Sequence, residues 1–407
     1  MITVRLIAVG LAVCPTASAE LPPLIPREVL FGNPDKANPQ ISPDGKRLAY
    51  LAPDEGVLNV WVRSIGKTDD RAVTQDRKRG VRAYFWAQNN EQILYIQDKD
   101  GDENWHLYGT KLKGGETKDF TPYPKVQARV EAVDPKFPDE ILVSVNVRDP
   151  QLHDVYRLDL RRGALRLILQ NDEKFVGWTP DHEFQIRGGM KVTDDGGATV
   201  HVRDQCDSPW REQLKLGPDD VLTSGPIGFT ADGKNLYMIN SSGSNTGQLR
   251  ELDLASGKEK VLASDDTFDV ADVMIHPSKY HVEAVGFMGD RLTWKVLDPA
   301  VEADFAAIAQ IRDGDFRIRS RDRADRVWLV TFEMDNGPVY YYTFDRKSRK
   351  AELLFSNRKA LEGLTLARMK PIQFNARDGL EVHGYLTLPP GVEAKNLPMV
   401  LNVHGGP

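Results

Sequence analysis

The sequence predicts an all-β fold, a seven-bladed β-propeller, followed by a short segment of different texture. Three observations predict it: a recurring unit of turn plus strand, strands that are short and rich in β-branched residues, and a change of pattern near Leu366.

The repeat is plainest where Ser42-Pro43-Asp44-Gly45 precedes Leu48 to Leu51 and where Thr230-Ala231-Asp232-Gly233 precedes Leu236 to Ile239. With Pro43 as anchor, its counterparts are Gln88, Pro135, Pro180, Ala231, Pro277 and Arg321, 44 to 51 residues apart. Each anchor leads into an apolar run such as Ile93 to Ile96, Ile141 to Val143, Val282 to Val285 or Val327 to Val330. Such runs suit a pleated surface. A second strand follows, as in Val60 to Val62, Val155 to Leu158, Leu249 to Leu252 and Val339 to Tyr342. Several strands per unit at this period match propeller blades, whose sheets bury their faces against one another around a channel. Helical repeats would need apolar residues three and four apart over more than about ten residues, and these runs are too short. Residues 38–365 are therefore read as the propeller and 20–37 as an N-terminal extension.

Composition narrows the function. Of the 407 residues 41% are hydrophobic and 28% charged, the proportions of a folded globular chain. The net charge of −6 comes with Lys and Arg spread along the whole length, so no nucleic-acid groove is expected. Arg5, the apolar run Leu6 to Val13 and Ala17-Ser18-Ala19 fit a secretory signal over residues 1–19, which implies a periplasmic or secreted protein. Cys14 also follows an apolar run, as in a lipoprotein signal, but Val13 is bulky where a small residue is usual. The mature chain then keeps Cys206 alone, which is read as a small buried apolar residue, and no membrane span follows the signal.

Several motifs look chemical without being so. Gly228 to Asn235 lacks the Ser or Thr that a phosphate-binding loop places after its lysine, and it sits in register with the Pro43 turn. Asp98, Asp100 and Asp102 alternate as in a calcium loop, but the glycine falls at Gly101 and the distal Glu is missing, so a solvated acidic turn is expected. His276 and His281 have no third ligand at metal spacing and are assigned to blade structure. Neither metal nor cofactor is expected.

After Leu366 the run Lys370 to Ala376, the turn Asp378-Gly379, the run Glu381 to Leu388 and the run Met399 to Val403 read as three strands. The last is apolar enough for a strand buried on both faces, and it ends in His404-Gly405-Gly406-Pro407. A loop of this kind can supply a backbone N–H to an oxyanion hole.

The succession of a propeller, the Arg377-Asp378-Gly379-Leu380 turn, Gly384-Tyr385-Leu386 and a terminal HGGP resembles the prolyl oligopeptidase family, most closely its bacterial acylaminoacyl-peptidase-like and dipeptidyl-peptidase-like branch. Ile25 to Phe31 and Gly101-Asp102-Glu103-Asn104-Trp105 carry the resemblance through the N-terminal part. It implies that residues 366–407 open an α/β-hydrolase domain and that short peptides are the substrates. It also implies that the propeller restricts access to a Ser-Asp-His triad. Gly406 would then donate its N–H to the oxyanion, with His404 and Gly405 shaping the loop, and Glu103 and Asp102 would meet the amino terminus of the substrate. No G-x-S-x-G occurs in the 407 residues and the triad has no counterpart, so this chain alone is expected to be inactive. The alternative is a non-catalytic periplasmic propeller that serves as a binding scaffold.

Overall fold

A computed structural model describes residues 22–403. Seven antiparallel sheets, each built from consecutive strands, make the ring: residues 37–72, 84–119, 128–169, 177–216, 225–263, 270–308 and 315–356, called here blades 1 to 7.

Alternation along the strands builds the core. In Arg47–Asp54 the second strand of blade 1 sends Ala49 and Leu51, alongside Val60 of the third strand, toward blade 2, where they meet Tyr84, Trp86 and Ile93. Its alternate residues Leu48, Tyr50 and Ala52 point the other way, onto Leu329 and Tyr341 of blade 7. One apolar cluster of this kind sits at each blade junction. This is why the second strands read as unbroken apolar runs: they are covered on both faces. Each Leu or Phe buried this fully contributes about 1.5–3 kcal/mol.

The ring closes without a shared strand. Blade 7 meets blade 1 through the Leu48–Leu329 cluster and through backbone bonds from Arg323 to the Pro43 carbonyl (2.7 Å) and from Asp35 to the Asn357 carbonyl (2.9 Å). Blade 6 departs from the pattern of the other blades. It has three strands, and the helix Pro299–Ile308 stands where a fourth would be. Asp298 caps it by accepting the Ala300 N–H at 2.9 Å, Pro299 opens its first turn, and Val301, Phe305 and Ile308 fill the junction with blade 7.

The turn chemistry that marked the repeat also holds in the fold. Ser42 Oγ bonds Asp44 Oδ1 at 2.6 Å and the Gly45 N–H closes on the Ser42 carbonyl at 2.8 Å. Thr230, Asp232 and Gly233 repeat this at 2.7 and 2.8 Å. Gly45 and Gly233 take φ of +71° and +66°, which Gly adopts without steric cost. Gln88, Pro135 and Pro277 lie in the matching turns of their blades. Two anchors do not. Arg321 ends the inner strand Asp315–Arg321, and the turn proper runs from Asp322 to Asp325. Pro180 ends Gly177–Pro180, and its turn runs from Asp181 to Phe184. In both, an aspartate carboxylate caps the turn from inside it, accepting N–H groups of Arg326 and Val327 or of Glu183 and Gln185, and the anchor lies two residues before the position that Pro43 holds in its own turn.

Cys206 is exposed in the loop between the third and fourth strands of blade 4, which corrects its expected burial. Met399 to Val403 pairs with no strand among the described residues, and Val400 is 91% exposed. An apolar run becomes a strand only when a neighbour takes its backbone hydrogen bonds. Residues 1–21 and 404–407, with the expected signal segment and the His404-Gly405-Gly406 loop, lie outside the described residues. No helix among those described is long and apolar enough to cross a membrane.

Candidate functional site: the channel and its two faces

The four-stranded meander of a blade fixes which loops share a face. Inner strands begin, and outer strands end, on the face where the chain joins and leaves the ring; this is the proximal face. The marker turns between first and second strands lie on the opposite, distal face.

The distal turns surround a cavity of about 760 Å3 at the end of the central channel, lined among others by Pro43, Gln88, Pro135, Pro180 and Pro277. His276 sits in its rim. Its Nδ1 accepts the N–H groups of Ser278 and Lys279 at 3.2 and 3.1 Å, and burial pushes its pKa down. His276 with Glu283 and Asp325, and His281 with Glu283 and Asp298, stand close enough to hold a cation. Other partners already take their donors: Glu283 and Asp325 pair with Arg321, Arg346 also pairs with Asp325, and Asp298 caps the blade 6 helix. A neutral His276 whose Nδ1 accepts two hydrogen bonds carries its proton on Nε2, the atom that faces the carboxylates.

The proximal face carries the hairpin that follows the ring. Met369–Asn375 pairs with Glu381–Thr387 around the Asp378-Gly379 turn. The Tyr385 hydroxyl donates to the Asp290 carbonyl at 2.8 Å, and the Met369 N–H donates to Asp335 Oδ2 at 3.0 Å, so the hairpin rests on blades 6 and 7.

The loop Asp98 to Trp105 joins the second and third strands of blade 2 on this same face. Asp98 is buried, not solvated as expected of the acidic turn. It meets Arg79 at 3.2 Å and accepts the Glu103 N–H at 3.4 Å. Asp102 is spent within the loop, taking the Asn104 side-chain and backbone N–H groups at 2.9 and 3.0 Å, and these bonds hold its carboxyl below the usual range. Glu103 differs. At φ +57° its backbone is held by Asp98 and by Gln127, while its exposed carboxylate makes no ion pair among the described residues. Of the two acids named from sequence, the structure leaves Glu103 available.

Comparison with known proteins adds an independent line. No protein-family model matches the chain. It is 41% identical over 392 residues to dipeptidyl aminopeptidase BIII of Pseudoxanthomonas mexicana, an alignment covering 94% of this chain. The chain is similar to peptidases of the prolyl oligopeptidase kind. It is also 28% identical over 422 residues to dipeptidyl peptidase family member 6 of Caenorhabditis elegans. The chain spans 57% of the length of each of these relatives. Among solved structures, a prolyl endopeptidase superposes with a TM-score of 0.63 at 11% identity, covering 89% of this chain and 55% of the other. A puromycin-hydrolysing peptidase of Mycobacterium tuberculosis gives 0.62 at 14%, covering 91% and 61%. At such identities the likeness establishes the shared fold alone.

Sequence reasoning missed a second proximal feature. A cavity of about 530 Å3 lies where blades 7, 1 and 2 meet, lined by Asn38, Arg82, Tyr84, Arg319, Thr331, Glu333 and Tyr341 among others. These residues come from both ends of the ring, and no local motif joins them.

Proposed function

We propose that this chain is the substrate-gating propeller of an exported serine peptidase that removes dipeptides from short peptides. The observation that carries the reading is 41% identity, along 94% of the chain, to a protein named as a dipeptidyl aminopeptidase. The signal over residues 1–19 supports export to the periplasm or beyond. In this reading a serine attacks the scissile carbonyl with help from a histidine, both supplied by residues beyond Pro407. The Gly406 N–H stabilises the oxyanion within the loop shaped by His404 and Gly405.

Glu103 supplies specificity. A carboxylate held on a fixed backbone at the proximal face attracts the ammonium group of a substrate, which places the second peptide bond rather than any other at the nucleophile. Asp102 supports the loop through Asn104 instead of meeting substrate.

The test is hydrolysis of dipeptide p-nitroanilides by the whole protein, extended past Pro407. Turnover should be abolished by a serine-directed inhibitor and should favour a free over an acetylated amino terminus. Glu103→Gln should lower kcat/KM at least tenfold for the free substrate and leave the acetylated one unchanged. Hydrolysis indifferent to the inhibitor would overturn the serine mechanism, and equal loss on both substrates would overturn the anchor.

A further inference from the structure

The cavity between blades 7, 1 and 2 has an unusual inventory of donors. Thr331 is 2% exposed and its hydroxyl has no hydrogen-bond partner. Tyr341 accepts the Asn38 N–H at 3.4 Å, which leaves its own proton unspent. Arg82 is exposed and makes no ion pair among the described residues. Arg319 bonds Glu333 at 2.7 Å and Arg358 donates to backbone carbonyls of residues 29 to 33, so the lining holds three guanidinium groups against one carboxylate. The wall is fixed. Asn38, at φ +47°, is clamped between Tyr341 and Tyr84, whose hydroxyl donates to the Asn38 carbonyl at 2.6 Å.

Unspent donors and excess positive charge call for an anionic acceptor. A buried hydroxyl without a partner is destabilising, and a bound acceptor would relieve that cost. A planar carboxylate matches the two-pronged geometry of a guanidinium.

The position of the cavity identifies the carboxylate. Arg82 precedes the inner strand Tyr84–Trp86 of blade 2, and Arg79, three residues earlier, bonds Asp98, which in turn holds Glu103. One blade therefore presents a carboxylate and an unpaired guanidinium on one face, joined by a short ion-paired bridge. We infer that this cavity binds the C-terminal carboxylate of a short peptide through Arg82, with Thr331 and Tyr341 as hydroxyl donors. The site then recognises a zwitterion, and length selection follows from having to satisfy both charged ends. This inference rests on the proposal that peptides are the substrates.

Calorimetric titration of the full chain with tetra-alanine and with its C-terminal amide tests it. The free acid should bind at least tenfold more tightly than the amide. Arg82→Gln, a surface change that leaves the core alone, should remove that preference while sparing the amide, and Thr331→Val should weaken the acid several-fold. Equal affinity for acid and amide, an unchanged preference in Arg82→Gln, or no binding of either peptide would overturn the assignment. Binding of inorganic phosphate without tetra-alanine would likewise overturn it, since the site would then take a free anion. Titration reads binding without turnover, so the two proposals fail separately. Acid-selective binding by a protein that hydrolyses nothing leaves this site standing, whereas hydrolysis without acid selectivity removes it alone.

Discussion

The Tyr280 hydroxyl meets both carboxylate oxygens of Asp134, at 3.0 and 2.9 Å, although 146 residues separate the two in sequence. Tyr280 belongs to the distal turn of blade 6 and Asp134 to that of blade 3, so the bond is a chord across the ring. The His182 imidazole of blade 4 stacks on the Tyr280 ring at 3.5 Å between centroids and bonds the Phe229 carbonyl of blade 5 at 2.8 Å. Four blades are thus tied at one end of the channel. Arg323 ties the others, meeting Pro43 of blade 1 and Gln88 of blade 2.

Tyr280→Phe keeps the stack and deletes the hydroxyl, leaving the Asp134 carboxylate with the Lys136 N–H (2.8 Å) as its remaining close donor. A hydrogen bond to a charged group contributes about 1.5–3 kcal/mol, so the urea midpoint should fall accordingly. An unchanged midpoint would mean that water replaces the phenol without loss.

Gly109→Ala tests the packing between blades 2 and 3. A Cβ there would stand 2.4 Å from Phe120 Cε2 and 3.0 Å from Leu94 Cδ2, both in buried side chains. Overpacking of this kind costs about 1–3 kcal/mol. Thermal unfolding should show a lower Tm, and a tolerated alanine would show that Phe120 can shift into free space.

His153 gives a pH dependence. Burial, then the nearby Arg129, pushes its pKa down to about 4, and its Nε2 is buried without a hydrogen-bond partner. The unfolded chain takes up this proton near pH 6.5 and the folded chain only near 4, so stability is full above about 6.5 and declines as pH falls toward 4. His201 and His276, also lowered by burial, act in the same direction, while Glu131, raised by burial, opposes them. Unfolding midpoints measured between pH 7 and 4 should decline, and His153→Gln should flatten part of the slope. A slope unchanged by that substitution would assign it to the other groups.

How much was legible follows from the range of each interaction. The blade strands and their number could be read because alternation of apolar residues and Ser-Pro-Asp-Gly turn chemistry act over a few neighbouring residues. The blade 6 helix was also legible in principle, since Asp298-Pro299 is a cap signal with Val301, Phe305 and Ile308 spaced for one buried face. A reading of strand alternation and turn residues alone passes over it. Arg321 was misplaced because a turn capped by Asp322 lacks the proline and glycine that mark the stronger repeats.

By itself the sequence determined the propeller, its seven units, the hairpin around Gly379 and the family resemblance, because strand, turn and motif signals are carried by residues near one another in the chain. Only the tertiary structure decided that Cys206 is exposed, that Asp98 is buried under Arg79 while Glu103 is free to meet a ligand, and that Tyr280 reaches Asp134. It alone brought Arg82 together with Thr331 and Tyr341. Closing the ring sets the last blade beside the first, and contacts between residues more than two hundred positions apart leave no local pattern from which they could be read.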